Sequence, residues 1–241
     1  MFDVSEKQVG VCSCGRPLKV GIVSGKEVKI RCECEKAKEE AEKKAKAEAN
    51  RQRKLAEIRR AAHIPIKLTN CTFESWVERP GEDKAYRASK RFADTFPKIK
   101  QGLIFVGNTG SGKTHLATAI LNAVLDKGYS GRFYRAADIP IDIQASYNSN
   151  SISEYEIMLQ LKTVKLLVLD DLGADKMTEF DRGIIHSIID SRINYCLPTI
   201  ITTNVPPDKM SDILDSRTVD RLLGSDFYLF TLTDESYRRT R

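Results

Sequence analysis

With 241 residues, of which 41% are hydrophobic and 30% charged, the chain has the composition of a soluble globular protein: one large domain, or one domain plus an appendage. No apolar run approaches the roughly 20 residues of a membrane span and no secretory apolar segment opens the chain, so a cytosolic protein with no membrane partner is expected. The formal net charge of +6 lies in the first quarter: residues 1–62 hold 16 Lys and Arg against 10 Asp and Glu, and residues 63–241 hold 23 of each. That asymmetry fits an acidic partner for the N-terminal arm, such as nucleic acid or an acidic protein face; a merely solvated helix fits it equally.

Residues 10–34 carry two C-x-C pairs, Cys12-Ser-Cys14 and Cys32-Glu-Cys34. Between them lie two β-prone runs joined by Ser24-Gly25, a hairpin pattern. A hairpin brings its ends together, so four sulfurs can meet around one ion, and four thiolates favour tetrahedral Zn²⁺. Free thiols or a redox pair are the alternatives. A segment this small needs such a staple to fold. A Zn²⁺ with four thiolates carries −2, which would bring the arm to about +4.

Residues 35–62 are Ala, Glu, Lys and Arg almost throughout, without Gly or Pro, and predict a helix. Leu55 and Ile58 are its only large apolar residues, so the helix is expected to be exposed, as a linker or arm. Pro65 ends it. Beyond it lie Leu68, Phe73 and Trp76, expected as core or as a side wall of a ligand pocket, and then a helical pattern over residues 82–96.

Residues 103–106 form a short apolar run that predicts a buried strand. Gly107-Asn108-Thr109-Gly110-Ser111-Gly112-Lys113-Thr114 then matches the phosphate-binding pattern G-x4-G-K-T. Residues 115–125, beginning at His115, have helical periodicity. Strand, loop and helix thus stand in the order the motif requires. The glycines free backbone N–H groups to turn around phosphate oxygens, and the helix N-terminus adds partial positive charge. Lys113 is placed to reach the β- and γ-phosphates, and the Thr114 hydroxyl to ligate Mg²⁺.

A second strand is expected from Gly131. Residues 137–161 combine a helix start with a polar loop, after which Ser151 or Ser153 caps another helix. Residues 166–171, Leu-Leu-Val-Leu-Asp170-Asp171, read as a buried strand ending in two carboxylates. Charge is costly in mid-core, so the pair belongs at the strand's C-terminal edge, where ligands sit in open α/β sheets. Asp170 fits a Mg²⁺-holding acid, and Asp171 is placed to orient or deprotonate an attacking water. A helix follows over residues 179–193, with Ile184, Ile185, Ile188 and Ile189 on one face. Residues 199–204 then predict a strand ending in Asn204, positioned to hold the lytic water. In the tail, Arg217, Arg221, Arg238 and Arg239 suit phosphate recognition, and a neighbouring subunit could insert one of them. A last strand is expected over residues 227–232.

From about residue 60 onward the chain resembles the DnaC/IstB family of AAA+ ATPases. The resemblance rests on His63-Ile-Pro65, residues 107–117, 166–173, 199–204 and 217–222, and Ser236-Tyr237-Arg238. It implies a five-stranded parallel α/β sheet. It also implies Lys113 and Thr114 as Walker A, Asp170 and Asp171 as Walker B, and Asn204 as sensor 1. By the same likeness Arg221 is the trans-acting arginine finger, with Arg217 its rival, and Arg238 is sensor 2. Asp171 stands where most AAA+ proteins carry Glu. The sequence runs only a few residues past Arg238, so an ATPase domain without a helical lid is expected.

Family members load a replicative helicase onto DNA or assist transposition, bind single-stranded DNA, and form spirals or rings. The resemblance therefore implies an ATPase with ATP and Mg²⁺ bound between subunits of a homo-oligomer. Its expected partners are a replicative DNA helicase and single-stranded DNA. Three parts are expected: a zinc module over residues 1–34, a charged helical linker over 35–62, and an ATPase domain over 63–241. ATP is expected rather than GTP because no Asn-Lys-x-Asp motif occurs. The cysteine-bearing, basic arm resembles that of helicase loaders; transposition helpers usually lack it. A transposition helper, a nucleotide-gated interaction protein with little turnover, and a P-loop kinase are the rival readings, the last without an acceptor pocket or lid-arginine pattern.

Overall fold

In the computed structural model, which describes residues 7–23, 26–77, 83–147 and 152–232, the chain divides into two units, Met1–Lys54 and Leu55–Arg241. The first unit contains strands β1 (Lys7–Val11), β2 (Pro17–Val23) and β3 (Lys26–Ile30) as an antiparallel meander. The expected hairpin is β2–β3. β1 adds a third strand, with an irregular register between Gln8 and Gly10. Helix α1 (Glu33–Ala61) follows, with none of its residues buried. Propensity and exposed pairs such as Glu39–Lys43 at i,i+4 (2.9 Å) support it, each pair contributing only a few tenths of a kcal/mol.

The second unit begins within α1. Its elements are α2 (Asp83–Thr95), β4 (Gly102–Gly107), α3 (Lys113–Asp126), β5 (Gly131–Arg135), α4 (Asp138–Ser146), α5 (Glu154–Thr163), β6 (Leu166–Asp170), α6 (Glu179–Asn194), β7 (Thr199–Thr203), α7 (Met210–Ile213), α8 (Ser216–Leu223) and β8 (Phe227–Leu232). The five strands form one parallel sheet in the order β5-β6-β7-β4-β8, as the sequence leads one to expect. Both faces are covered, so the central strands are apolar on both sides. Leu103, Phe105, Leu166, Val168 and Ile200 pack with Leu116, Ile120 and Leu121 of α3 and Phe92 of α2. Their alternates Ile104, Val106, Leu167, Leu169 and Ile201 pack with Ile185, Ile188 and Ile189 of α6. Ser153 caps α5 through a capping box with Glu156, and Thr178 caps α6 through one with Asp181. Among the described residues no helix is long and apolar enough to cross a membrane.

One polar residue lies at the centre of this packing. Arg192 of α6 is fully buried. Its guanidinium donates to Thr199 Oγ1 (2.8 Å) and to the carbonyls of Leu161 (2.9 Å), Val164 (2.8 Å) and Pro198 (2.8 Å). It thereby satisfies the C-terminal carbonyls of α5 and ties them to the start of β7. Burial pushes its pKa down to about 9, which still leaves it charged at neutral pH.

Candidate functional site

The sheet order brings the predicted residues to one edge. β7 lies between β4 and β6, with Val106 opposite Thr203 and Leu169 opposite Ile201. The loop after β4, the acid pair ending β6 and Asn204 after β7 are therefore neighbours. Lys113, at the N-terminus of α3 and 6% exposed, donates from Nζ to the carbonyls of Gly107 (2.8 Å) and Asn108 (2.8 Å) and to Asn204 Oδ1 (2.8 Å). Asn204 Nδ2 in turn donates to Asp171 Oδ1 (3.2 Å). Asp171 has a left-handed backbone, φ +61°, rare for a residue with a side chain and concentrated at functional sites.

Asp170 is buried at the end of β6. Thr114 Oγ1 (2.8 Å) and Thr202 Oγ1 (2.7 Å) both donate to its Oδ1, and Oδ2 accepts no hydrogen bond among the described residues. Thr202 also accepts from the Asp171 N–H (2.9 Å), so one hydroxyl fixes both acids. The sequence reading missed Thr202 because a threonine within Thr-Ile-Ile-Thr-Thr is an ordinary strand former. Its position two residues before the predicted Asn204 was the available signal.

Burial, against the opposing Thr202 and Thr114 hydroxyls, raises the Asp170 pKa. Folding thus disfavours its ionised form. The penalty sets in as pH rises from the unfolded-state value through the higher folded-state one. Asp170→Asn keeps an acceptor for both hydroxyls and removes the penalty on the ionised form, so it is expected to raise the Tm of the ligand-free protein at pH values above that range. A Tm below that of the wild type in thermal melts would contradict this reading of Asp170.

The glycine loop fits an anion. Gly110 (φ +85°) and Gly112 (φ +94°) adopt conformations that side chains rarely take. A Cβ at Gly112 would lie 2.6 Å from the Trp76 ring. Ser111 Oγ is buried in the loop with no hydrogen-bond partner among the described residues, an orphaned donor of the kind a phosphate oxygen would accept from. Trp76, half-buried, packs partly with the α2–α3 core, as expected, and also closes over this turn. His115 turns toward the same segment: its Nε2–H donates to the Thr72 carbonyl (2.9 Å), and its ring meets Trp76 edge-on at 5.3 Å. Nothing in the spacing of Trp76 relative to Gly112 announced that contact.

Arg221 lies on α8, paired with Asp190 of α6 (3.1 Å), and Arg217 is exposed one turn earlier on the same helix. The structure does not bring either arginine into the Lys113 cluster of the same chain. Arg238, with Ser236 and Tyr237, lies outside the described residues.

In the first unit the four cysteines converge. Cys12 Sγ lies 3.2 Å from Cys34 Sγ and Cys14 Sγ 3.6 Å from Cys32 Sγ, and all four sulfurs are within 4.8 Å of one another. Zn–S bonds of about 2.3 Å at tetrahedral angles place sulfurs roughly 3.8 Å apart, so the cluster fits such an ion.

A phosphate-type loop after β4, a buried acid pair after β6 and an intervening strand carrying a polar amide define a P-loop ATPase domain of the AAA+ type. The chain belongs to the family of IstB-like ATP binding proteins, whose profile matches residues 39–241. It is 32% identical over 193 residues to the replicative helicase loader DnaC of Buchnera aphidicola subsp. Baizongia pistaciae, covering 79% of this chain and 78% of that one. To the DnaC loader of Escherichia coli K12 it is 31% identical over 191 residues, 78% of each chain. Among solved structures, that of a DnaC helicase loader superposes with a TM-score of 0.64 at 26% identity, over 70% of this chain and 99% of that one. A DnaI structure (TM-score 0.61, 24% identity, 72% and 94% coverage) shares the fold.

Proposed function

We propose that the chain is an ATP-dependent loader of a replicative DNA helicase. The observation that carries this reading is identity above 30% to named helicase loaders across more than three quarters of both chains. The assembled Lys113–Asn204–Asp171 and Thr114–Asp170–Thr202 contacts support it. In this reading the backbone of residues 107–112, with Lys113, holds the β- and γ-phosphates of ATP at the N-terminus of α3. Thr114 and Asp170 hold Mg²⁺, which when bound offsets the charge of the phosphate oxygens. Asp171 accepts a proton from the attacking water, and Asn204, already bonded to Asp171, orients that water. Arg221 of a neighbouring subunit in a homo-oligomer acts as the finger. Arg238 would act as a second sensor.

The proposed parts are a zinc module over residues 1–34, a charged linker over 35–62 and the ATPase domain over 63–241. Cys12, Cys14, Cys32 and Cys34 hold Zn²⁺, and the module binds the helicase, while the assembled ATPase domains hold single-stranded DNA. The family profile, named for IstB-like proteins, favours one second reading, a transposition helper acting with a transposase. Retention of purified helicase or of purified transposase by the immobilised full chain distinguishes the two.

A further inference from the structure

We propose that Asp190 is the positioning residue for Arg221, holding its guanidinium in the orientation a neighbouring active site needs; this rests on the reading of Arg221 as the finger. Two rungs join α6 to α8. On the first, the Thr218 hydroxyl donates to Asp215 Oδ2 (2.6 Å), so the short contact between Thr218 Oγ1 and His186 Nδ1 (2.8 Å) is made by the imidazole N–H. Asp215 Oδ1 also accepts the Thr218 N–H (3.0 Å) and caps the helix, and Thr218 is fully buried. The backbone of α8 is thereby fixed against α6. One turn further along each helix, Asp190 Oδ1 meets a terminal nitrogen of Arg221 at 3.1 Å. Asp190 is itself anchored, because Asn194 Nδ2 donates to its Oδ2 (3.0 Å).

An arginine side chain has four rotatable bonds, and ordering them opposes any contact it makes. A fixed carboxylate at one nitrogen removes part of that freedom beforehand and leaves other N–H donors of the fork unused. The alternative is that Asp190 sequesters Arg221. Magnitudes decide against it. With side chains 42% and 36% exposed, the pair is worth no more than about fivefold in an equilibrium. A finger contact is worth about 10³–10⁵-fold in rate. The pair is too weak to withhold the finger and strong enough to bias its direction. Arg217, exposed and without an ion pair among the described residues, has no such anchor.

The test measures ATP hydrolysis by the full-length protein. Asp190→Ala is expected to lower kcat about three- to fivefold with KM for ATP unchanged, and Asp190→Glu to recover part of the loss. In an Arg221→Ala background Asp190→Ala should add nothing. Mixing Asp190→Ala subunits with Lys113→Ala subunits, which carry an intact Arg221 but a disabled loop, should restore turnover at the Asp190→Ala sites. A rise in kcat on Asp190→Ala, or an equal fall with Arg221 already removed, overturns the proposal while leaving the finger in place. If Arg221→Ala itself leaves hydrolysis unchanged, the finger assignment fails and the role of Asp190 fails with it.

Discussion

Lys113→Ala is expected to weaken ATP binding at least about 30-fold and to lower kcat by about 10²–10³-fold, with the fold intact. The ammonium is nearly buried and, among the described residues, is held by oxygens from two strand ends, those of Gly107, Asn108 and Asn204. A ligand phosphate would meet a donor already oriented in a site of low effective dielectric, where its charge acts most strongly. Alanine removes that charge and also frees Asn204, and with it the partner of Asp171. The chain has a single tryptophan, and Trp76 lies against the Gly112 turn. Titrating Mg-ATP should therefore change tryptophan emission in the wild type and leave it flat in Lys113→Ala. Equal affinity and equal turnover in both proteins would remove the nucleotide site from the account.

Removing the metal from the N-terminal module should have the second large effect. The protein as purified is expected to carry about one zinc per chain, and chelation to unfold the 7–30 meander. A small antiparallel sheet cannot bury enough apolar surface to stand alone, and structural zinc supplies about 10–16 kcal/mol of folding free energy. Each thiol gives up its proton to such an ion; without one, the Cys14 backbone N–H and the Cys34 thiol lower the Cys12 pKa, and sharing hydrogen bonds with Cys12 raises that of Cys34. Replacing Cys12 and Cys34 by serine should abolish metal content and leave ATP binding in place. Absence of stoichiometric metal by elemental analysis, with the module still folded, would contradict the assignment.

Much of the parallel sheet was legible because fully buried strands are written as unbroken apolar runs, and residues 103–106 and 166–169 are such runs. The acid pair was legible for the opposite reason: two carboxylates after an apolar run belong at the run's exposed end. What escaped was set by register between distant strands. Thr202 looks like strand filler until β7 is seated between β4 and β6. Arg192 shows a different failure. It stands four residues after Ile188 and seven after Ile185, on the apolar stripe of α6, where periodicity alone points inside and its charge points to the surface, and the sequence reading passed over it. Four acceptors at one point settle the conflict, and no local pattern records them. β1 escaped because Lys7-Gln-Val-Gly-Val is short and contains a glycine. Residue type and spacing did not separate Arg217 from Arg221; the family likeness put Arg221 first, and in the structure Arg221 is the one that pairs with Asp190 of α6.

The loader reading is tested most directly by capture on the immobilised full-length chain. Purified hexameric replicative helicase and purified transposase from the same source are offered separately, each with Mg-ATP and single-stranded DNA. The account predicts that the helicase is retained, that chelating the zinc releases it, and that the transposase washes through. Retention of the transposase with the helicase in the flow-through would contradict it.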